Sequence, residues 1–258
     1  MEAITRAFDH DTYCDLVEAA GERFIAAATL ANPTAIVPSC PEWTVDELVE
    51  HMGVIHRWAG AHVQRMSQVR LGSADFDPDR PKGPADYEAW LRAGIQELVA
   101  TLRAGDPDAE VWGWGADKHV RFWPRRMLHE TTIHRSDLEI TNGTEPEIDP
   151  TIATDGIDEL LENLPHARRF RPEMMSLRGG GEALVFAAED VGVAWTIRLG
   201  SGGFEWSRAR AGDASVTVQG LVAPLLLYIY GRETAASRAV SVDGDTELLT
   251  FWRTNSAL

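Results

Sequence analysis

Apolar residues recur every three or four positions through most of the first 164 residues, and this spacing predicts amphipathic helices. The pattern predicts four long helices, over about residues 11–31, 44–70, 85–103 and 124–142. Thr44 and Glu47 are spaced for a capping box at the start of the second helix, and Asn142-Gly143 is a typical helix stop. Four such helices predict a bundle, with a fifth helix over about residues 151–164.

The apolar stripe of the second helix predicts which of its side chains face the bundle interior: Leu48, Met52, Ile55, Ala59 and Met66. His51 lies beside this stripe and is predicted to point inward, where a buried imidazole needs a partner for each ring nitrogen. His56 and His62 fall elsewhere around the helix, so we expect their side chains to be more exposed.

After Gly179 the apolar spacing shortens towards two residues, and glycines separate the segments, which is typical of strands. The segments 183–190 and 191–199 meet at a tight acidic turn and predict a β-hairpin. The rest of this region predicts strands and short helices, namely strands over 203–209, 214–220 and 237–245 and helices over 221–233 and 247–254. We therefore predict a mainly α protein with an α+β part, divided into a helical bundle (1–165) and a small α+β domain (166–258).

The charge of the chain narrows the set of partners. The 258 residues carry 24 Lys and Arg against 40 Asp and Glu, a formal net charge of −16 that disfavours nucleic acid. The longest apolar run, Leu221 to Tyr230, is about half of a membrane span, and the N-terminal residues resemble no export signal. We expect a cytoplasmic protein without a membrane partner, in which Cys14 and Cys40 are free thiols.

The fourth predicted helix carries the side chains best suited to metal binding or catalysis. Glu130 and His134 are four positions apart and therefore share one helix face, and Asp137 can reach the same side. A zincin motif would need a second histidine at position 133, which is Ile133, so that motif is excluded.

Across the bundle, His51 can meet Glu130 and His134 from the facing helix. Two imidazoles and one carboxylate, with a fourth position open, form the ligand set of a catalytic zinc site, and bundle cores build such sites from facing helices. The alternative is that Glu130 and His134 form a surface ion pair and that His51 is a hydrogen-bonded core histidine.

Two segments carry a family resemblance: VPSCPEWTVDELVEHMGVIHRWA at 37–59 and MLHETTIHRSDLE at 127–139. Together they resemble the mycothiol-dependent maleylpyruvate isomerase family, whose members have a DinB-like four-helix bundle followed by a smaller α+β domain. The resemblance implies that the metal ligands are His51, Glu130 and His134. Glu42 and Ser136 depart from the family pattern; these departures leave the triad unchanged and fall where they can reshape the mouth of the pocket.

The segment LLLYIYGRE at 225–233 is similar to the family's apolar helix that ends in Gly-Arg. The resemblance implies that Arg232 is a catalytic-site residue that holds a substrate carboxylate, for which the planar guanidinium is well shaped. The alternative is that Arg232 interacts with the C-terminal dipole of its helix.

The residues and the resemblance together predict a metal-dependent enzyme with a divalent cation, Zn²⁺ as first choice, and a low-molecular-weight thiol such as mycothiol. The thiolate would add to a small electrophilic substrate, in an isomerase or an S-transferase reaction, and Asp137 would support His134 or Arg135. Two alternatives remain open: a hydrolase in which the metal activates water, and a non-catalytic protein that binds metal or a small ligand. The sequence does not indicate an oligomeric state.

Overall fold

The computed structural model describes residues 6–234 and 236–256, and the chain divides into two compact units at residues 146 and 147. The N-terminal unit contains four long helices, as the apolar spacing predicts: α1 (His10–Leu30), α2 (Val45–Gln64), α3 (Tyr87–Ala104) and α4 (Phe122–Thr141). Helix α1 packs against α3 and α4, and α2 packs against α3 and α4. The buried stripes of these helices form the core of the bundle.

Local capping fixes where the first two helices begin. The Asp9 side chain accepts a hydrogen bond from the Thr12 amide at 2.8 Å, ahead of α1. Thr44 and Glu47 form the predicted capping box, in which each side chain accepts from the other residue's backbone amide.

Helix α2 ends six residues earlier than the spacing predicts, and the inward position predicted for Met66 is wrong. Met66 has a φ of +47° and is 42% exposed. The amide of Ser67 donates to the carbonyl of His62 at 3.0 Å, which closes the last turn. A residue in the left-handed region cannot continue a right-handed helix, so the apolar repeat runs past the helix end.

A small β-hairpin precedes α2 in a stretch that its prolines make look like an irregular loop. Strands β1 (Ile36–Val37) and β2 (Cys40–Thr44) pair antiparallel. The Val45 amide donates to the Ala35 carbonyl at 2.9 Å, so the hairpin runs directly into the first turn of α2. Strand β1 packs on α4 and β2 packs on α2, which places this hairpin against both helices.

The C-terminal unit has the predicted α+β composition. Its elements are α5 (Pro150–Asn163), β3 (Ala183–Ala188), β4 (Val193–Gly200), β5 (Gly203–Ser207), β6 (Val216–Gly220), α6 (Val222–Ile229), β7 (Ser241–Gly244) and α7 (Thr246–Ser256). The five strands form one sheet in the order β5-β4-β3-β6-β7. The predicted β3–β4 hairpin is present, and β3 also pairs parallel with β6.

The division between the units falls before α5, whereas the predicted boundary lies after it, at residue 165. The physical reason is that α5 packs against α6 within the C-terminal unit. Helical periodicity alone assigns α5 to the run of helices before it and cannot show where its buried face is covered.

Two further features follow from the described part of the chain. None of its helices combines the length and apolarity that a membrane crossing requires. Within the described residues, Cys14 and Cys40 form no disulfide; Cys14 is buried in α1, and burial raises the pKa of its thiol to about 12.

The contact between α2 and α3 depends on Gly53, because a Cβ built there would overlap the Trp90 ring. We expect Gly53→Ala to lower the free energy of unfolding by about 1–3 kcal/mol through overpacking. Gly60 is the matched control on the same helix, since a Cβ there would lie 3.8 Å from Leu98.

We expect Gly60→Ala to be neutral or to stabilise by up to about 1 kcal/mol through helix propensity. Urea unfolding of both variants measures the difference. Equal stabilities for the two variants would contradict the packing described here.

Candidate metal centre

Helix α4 is buried along most of its length, and many of its buried side chains are polar. The buried set comprises Arg125, Arg126, His129, Thr131, Thr132, Arg135, Ser136 and Asp137. Buried polar groups need hydrogen-bond partners, and some of these are found one turn along the same helix. Arg135 donates to Glu139 at 2.9 Å, for example. The candidate site lies on this helix.

The structure brings His51 on α2 together with Glu130 and His134 on α4. His51 Nε2 lies 3.2 Å from Glu130 Oε1, and His134 Nε2 lies 3.4 Å from the same oxygen. One ligand atom from each of the three residues falls within 4.8 Å of the other two. Within residues 6–234 and 236–256, this is the one group of three His, Cys, Asp or Glu side chains with that property.

These distances suit a small divalent cation. Ligands about 2.0–2.2 Å from zinc in a tetrahedron lie roughly 3.3–3.6 Å from one another. Two of the three distances in the group, 3.2 and 3.4 Å, are close to that span. Two imidazole nitrogens and one carboxylate oxygen are also the donor types that zinc accepts in catalytic sites. The residues present therefore fit a three-ligand site for such an ion.

A carboxylate outside the group fixes the orientation of His134. Asp137 Oδ2 accepts a hydrogen bond from His134 Nδ1 at 2.9 Å, and the Asp137 side chain is fully buried. With Nδ1 committed to Asp137, Nε2 is the nitrogen that faces Glu130 and His51. Metal-binding histidines are commonly oriented by a carboxylate in this way. The sequence predicted His134 or Arg135 as the partner of Asp137, and this hydrogen bond is to His134.

The charges around Glu130 and His134 are tightly coupled. Burial alone would raise the pKa of Glu130, but the Arg126 guanidinium and hydrogen bonds from the two histidines hold it well below 4.5. Arg126 contacts Glu130 Oε2 from one helical turn earlier and is itself buried. Burial would lower the pKa of His134, yet its hydrogen bonds to Asp137 and Glu130 raise that pKa to about 9.

The group is open to solvent on the side of α2 and is flanked by an aromatic ring. The side chains of His51, Glu130 and His134 are 28%, 22% and 12% exposed. The Trp43 ring, on β2, lies 4.9 Å from the His51 ring and stacks on the His134 ring at 6.2 Å with an interplanar angle of 25°. The surface-pair alternative for Glu130 and His134 is therefore disfavoured, because both are largely enclosed.

The exposure predicted for His56 and His62 is wrong, since both are fully buried. His56 Nε2 pairs with the Thr131 hydroxyl at 2.8 Å, between α2 and α4. His62 Nδ1 donates to the Trp58 carbonyl and its Nε2 accepts from the Leu71 amide at 3.0 Å. A helical wheel that follows only apolar residues misses polar side chains buried against other elements.

Three residues around the site were not singled out from the sequence: Ser39, Trp43 and Arg126. Arg126 carried a usable signal, because it lies four positions before Glu130 and so shares its helix face. Ser39 and Trp43 lie in the segment 37–59 that carries the family resemblance, but the apolar pattern does not place them at the site, because their position depends on the small hairpin among the prolines.

Arg232 belongs to the C-terminal unit. Its guanidinium is buried and donates to the Tyr230 carbonyl at 2.8 Å, just beyond the end of α6. The carbonyl of Arg232 accepts from the Ser237 hydroxyl at 2.9 Å. These contacts fit the helix-end alternative and leave the predicted carboxylate-binding role untested.

Comparisons with known proteins cover nearly the whole chain. The model of the mycothiol maleylpyruvate isomerase N-terminal domain matches residues 14–139, and that of the MDMPI C-terminal domain matches residues 151–251. No curated protein matches the sequence.

Two solved structures share the architecture. The crystal structure of the mycothiol-dependent maleylpyruvate isomerase superposes with a TM-score of 0.63 at 15% identity, over 93% of this chain and 96% of that one. A histidine-to-alanine mutant of that isomerase superposes with a TM-score of 0.59 at 15% identity, with the same coverage. At this identity the likeness shows the fold, a helical N-terminal domain with an α+β C-terminal part.

The buried His56 makes the stability of the protein depend on pH. Burial lowers its pKa to about 3, from 6.5 in an unfolded chain. Between these values the unfolded state holds a proton that the folded state lacks, so stability falls as pH drops from about 6.5 towards 3. The slope from this residue is at most about 1.4 kcal/mol per pH unit.

We expect His56→Gln to show a shallower loss of stability than wild type between pH 6.5 and 4, measured by urea unfolding. His166→Gln, at an exposed histidine, is the control and should keep the wild-type slope. An NMR titration in which the His56 ring protonates near pH 6.5 would refute the assignment.

Proposed function

The chain belongs to the mycothiol maleylpyruvate isomerase family, and we propose that it is a divalent-metal enzyme that uses a low-molecular-weight thiol as its nucleophile. The proposed reaction is the cis–trans isomerisation of a small alkene conjugated with a carbonyl group. Maleylpyruvate, the substrate named for the structural relative, belongs to this class. Mycothiol is the thiol that the family name supports.

The observation that carries the proposal is the convergence of His51, Glu130 and His134 within 4.8 Å, on the solvent-accessible side of a buried helix. A structural zinc site normally has four protein ligands, whereas a catalytic site has three and an open position. The His51 side chain is 28% exposed, so an exogenous sulfur would reach the open position from solvent. The same features support catalysis over a purely structural role.

Each residue of the group has a separate task. Arg126 and the histidines hold the pKa of Glu130 well below 4.5, so Glu130 would supply a negative charge near neutral pH. His134 presents Nε2 because Asp137 holds Nδ1. His51, on α2, would supply the third ligand. A bound divalent cation would supply a Lewis acid that lowers the pKa of an adjacent thiol, giving thiolate at neutral pH.

The chemistry of isomerisation needs only a reversible bond to sulfur. The thiolate forms an S–C bond at the alkene carbon β to the carbonyl, and the π electrons move to the carbonyl oxygen as an enolate. The former double bond is then single and rotates. Return of the electrons expels the thiolate, breaks the S–C bond and leaves the trans alkene. An S-transferase would instead protonate the adduct and release it.

The role of Arg232 is part of the same proposal: its guanidinium would orient a carboxylate of the substrate. Lysine keeps the charge but loses the planar fork, so Arg232→Lys should raise KM for a carboxylate substrate. The alternative, a helix-end contact, predicts a change in stability and an unchanged KM.

The decisive experiment measures turnover of a cis-alkenyl keto acid with and without mycothiol. We expect activity to require the thiol, to fall to background after chelation, and to return with stoichiometric Zn²⁺. His134→Ala should not recover on zinc addition, whereas the exposed-histidine variant His166→Ala should behave like wild type.

Turnover that survives without thiol but needs metal would support the hydrolase alternative and refute the thiol mechanism. Thiol-dependent turnover that survives complete metal removal would refute the role of the metal. The product distinguishes the two thiol reactions, because an isomerase regenerates the thiol and an S-transferase consumes it.

A further inference from the structure

The β1–β2 hairpin contacts the candidate site through two side chains that the ligand set does not include. Ser39 lies in its turn and Trp43 lies on its second strand. The hairpin is held from both sides, because β1 packs on α4, β2 packs on α2, and Val37 is fully buried. Its backbone continues into α2, the helix that carries His51.

Ser39 is connected to His134 through Asp137. The Ser39 hydroxyl donates to Asp137 Oδ1, and Asp137 Oδ2 accepts from His134 Nδ1 at 2.9 Å. The two oxygens of one fully buried carboxylate are therefore engaged by different elements, the hairpin and helix α4. A carboxylate held at only one oxygen can swing about its Cβ–Cγ bond, and a second hydrogen bond limits that motion.

Trp43 acts on the face of the same imidazole. Its ring stacks on the His134 ring with an interplanar angle of 25° at 6.2 Å, within the range of aromatic contacts. The hairpin thus limits the tilt of the His134 ring by stacking and its rotation through the hydrogen bonds of Asp137. Both limits act on the direction in which Nε2 points.

We propose that Ser39 is a positioning residue, whose hydrogen bond to Asp137 holds His134 in the orientation that binds the metal. The inference rests on the proposed function for its metal. It adds that the hairpin ahead of α2, outside the ligand helices, sets the geometry of a ligand on α4. It also assigns Ser39 a role in orienting a metal ligand, in addition to its place in the hairpin turn.

The test compares Zn²⁺ affinity by competition with a chromophoric chelator. Outer partners of metal ligands typically contribute 10–100-fold in affinity. Ser39 is separated from the ligand His134 by one further hydrogen bond, through Asp137. We therefore expect Ser39→Ala to weaken zinc binding about tenfold, at the low end of that range. Ser39→Thr keeps the hydroxyl at a partly exposed position and should stay within about threefold of wild type.

Thr34→Ala is the matched control. Thr34 lies just before the hairpin, and its exposed hydroxyl donates to the nearby Asn32 Oδ1 at 3.1 Å. Thr34→Ala should keep wild-type affinity. The free energy of unfolding of each metal-free variant is measured alongside, so that a folding defect in Ser39→Ala is recognised.

A second readout needs no metal. The Nδ1–H proton of His134 should be protected from solvent exchange in wild type and Ser39→Thr, and should exchange faster in Ser39→Ala, as seen by NMR. Unchanged affinity and exchange in Ser39→Ala would overturn the inference, as would an equal loss of both in Ser39→Thr. A wild-type protein that binds no zinc would overturn the proposed function instead, and the exchange rates would still decide the role of Ser39.

Discussion

The hydrogen bond between His134 and the buried carboxylate of Asp137 is the interaction on which the candidate site depends. It commits one ring nitrogen and directs the other towards Glu130 and His51. An ionised carboxylate buried in a helical bundle is costly unless its oxygens are hydrogen-bonded. Here the partners of Asp137 include a ring on its own helix and a hydroxyl on the preceding hairpin. The burial of α4 thus converts a local helical spacing into a fixed direction for a ligand atom.

Much of the candidate site could be predicted from the sequence, because its central pair lies on one helix. Positions 130 and 134 share a helix face whatever surrounds them, and a facing helix with an inward histidine was enough to assemble the triad. The family resemblance identified the same three residues. The helical elements followed from apolar spacing and capping signals, and the alternation after Gly179 predicted the strands of the C-terminal unit.

The errors at His56, His62 and the β1–β2 hairpin have a common physical origin, because each depended on contacts from another element. His56 and His62 lie off the apolar stripe of α2, yet α4 and the segment after α2 enclose them. Met66 fits the repeat but lies beyond the turn that ends the helix. The β1–β2 hairpin sits among prolines, which usually indicate a loop. Burial of a polar residue is set by its neighbours in space, and these are not visible in a single periodic pattern.

The central claim is that His51, Glu130 and His134 hold one divalent cation. The most direct measurement is the zinc content and affinity of the purified protein, by elemental analysis and chelator competition, for wild type and Glu130→Gln. The account predicts one ion per chain in wild type and a loss of more than about 100-fold in Glu130→Gln, beyond what outer partners contribute. Wild-type protein that binds no ion, or a Glu130→Gln variant that binds it equally well, would contradict the account.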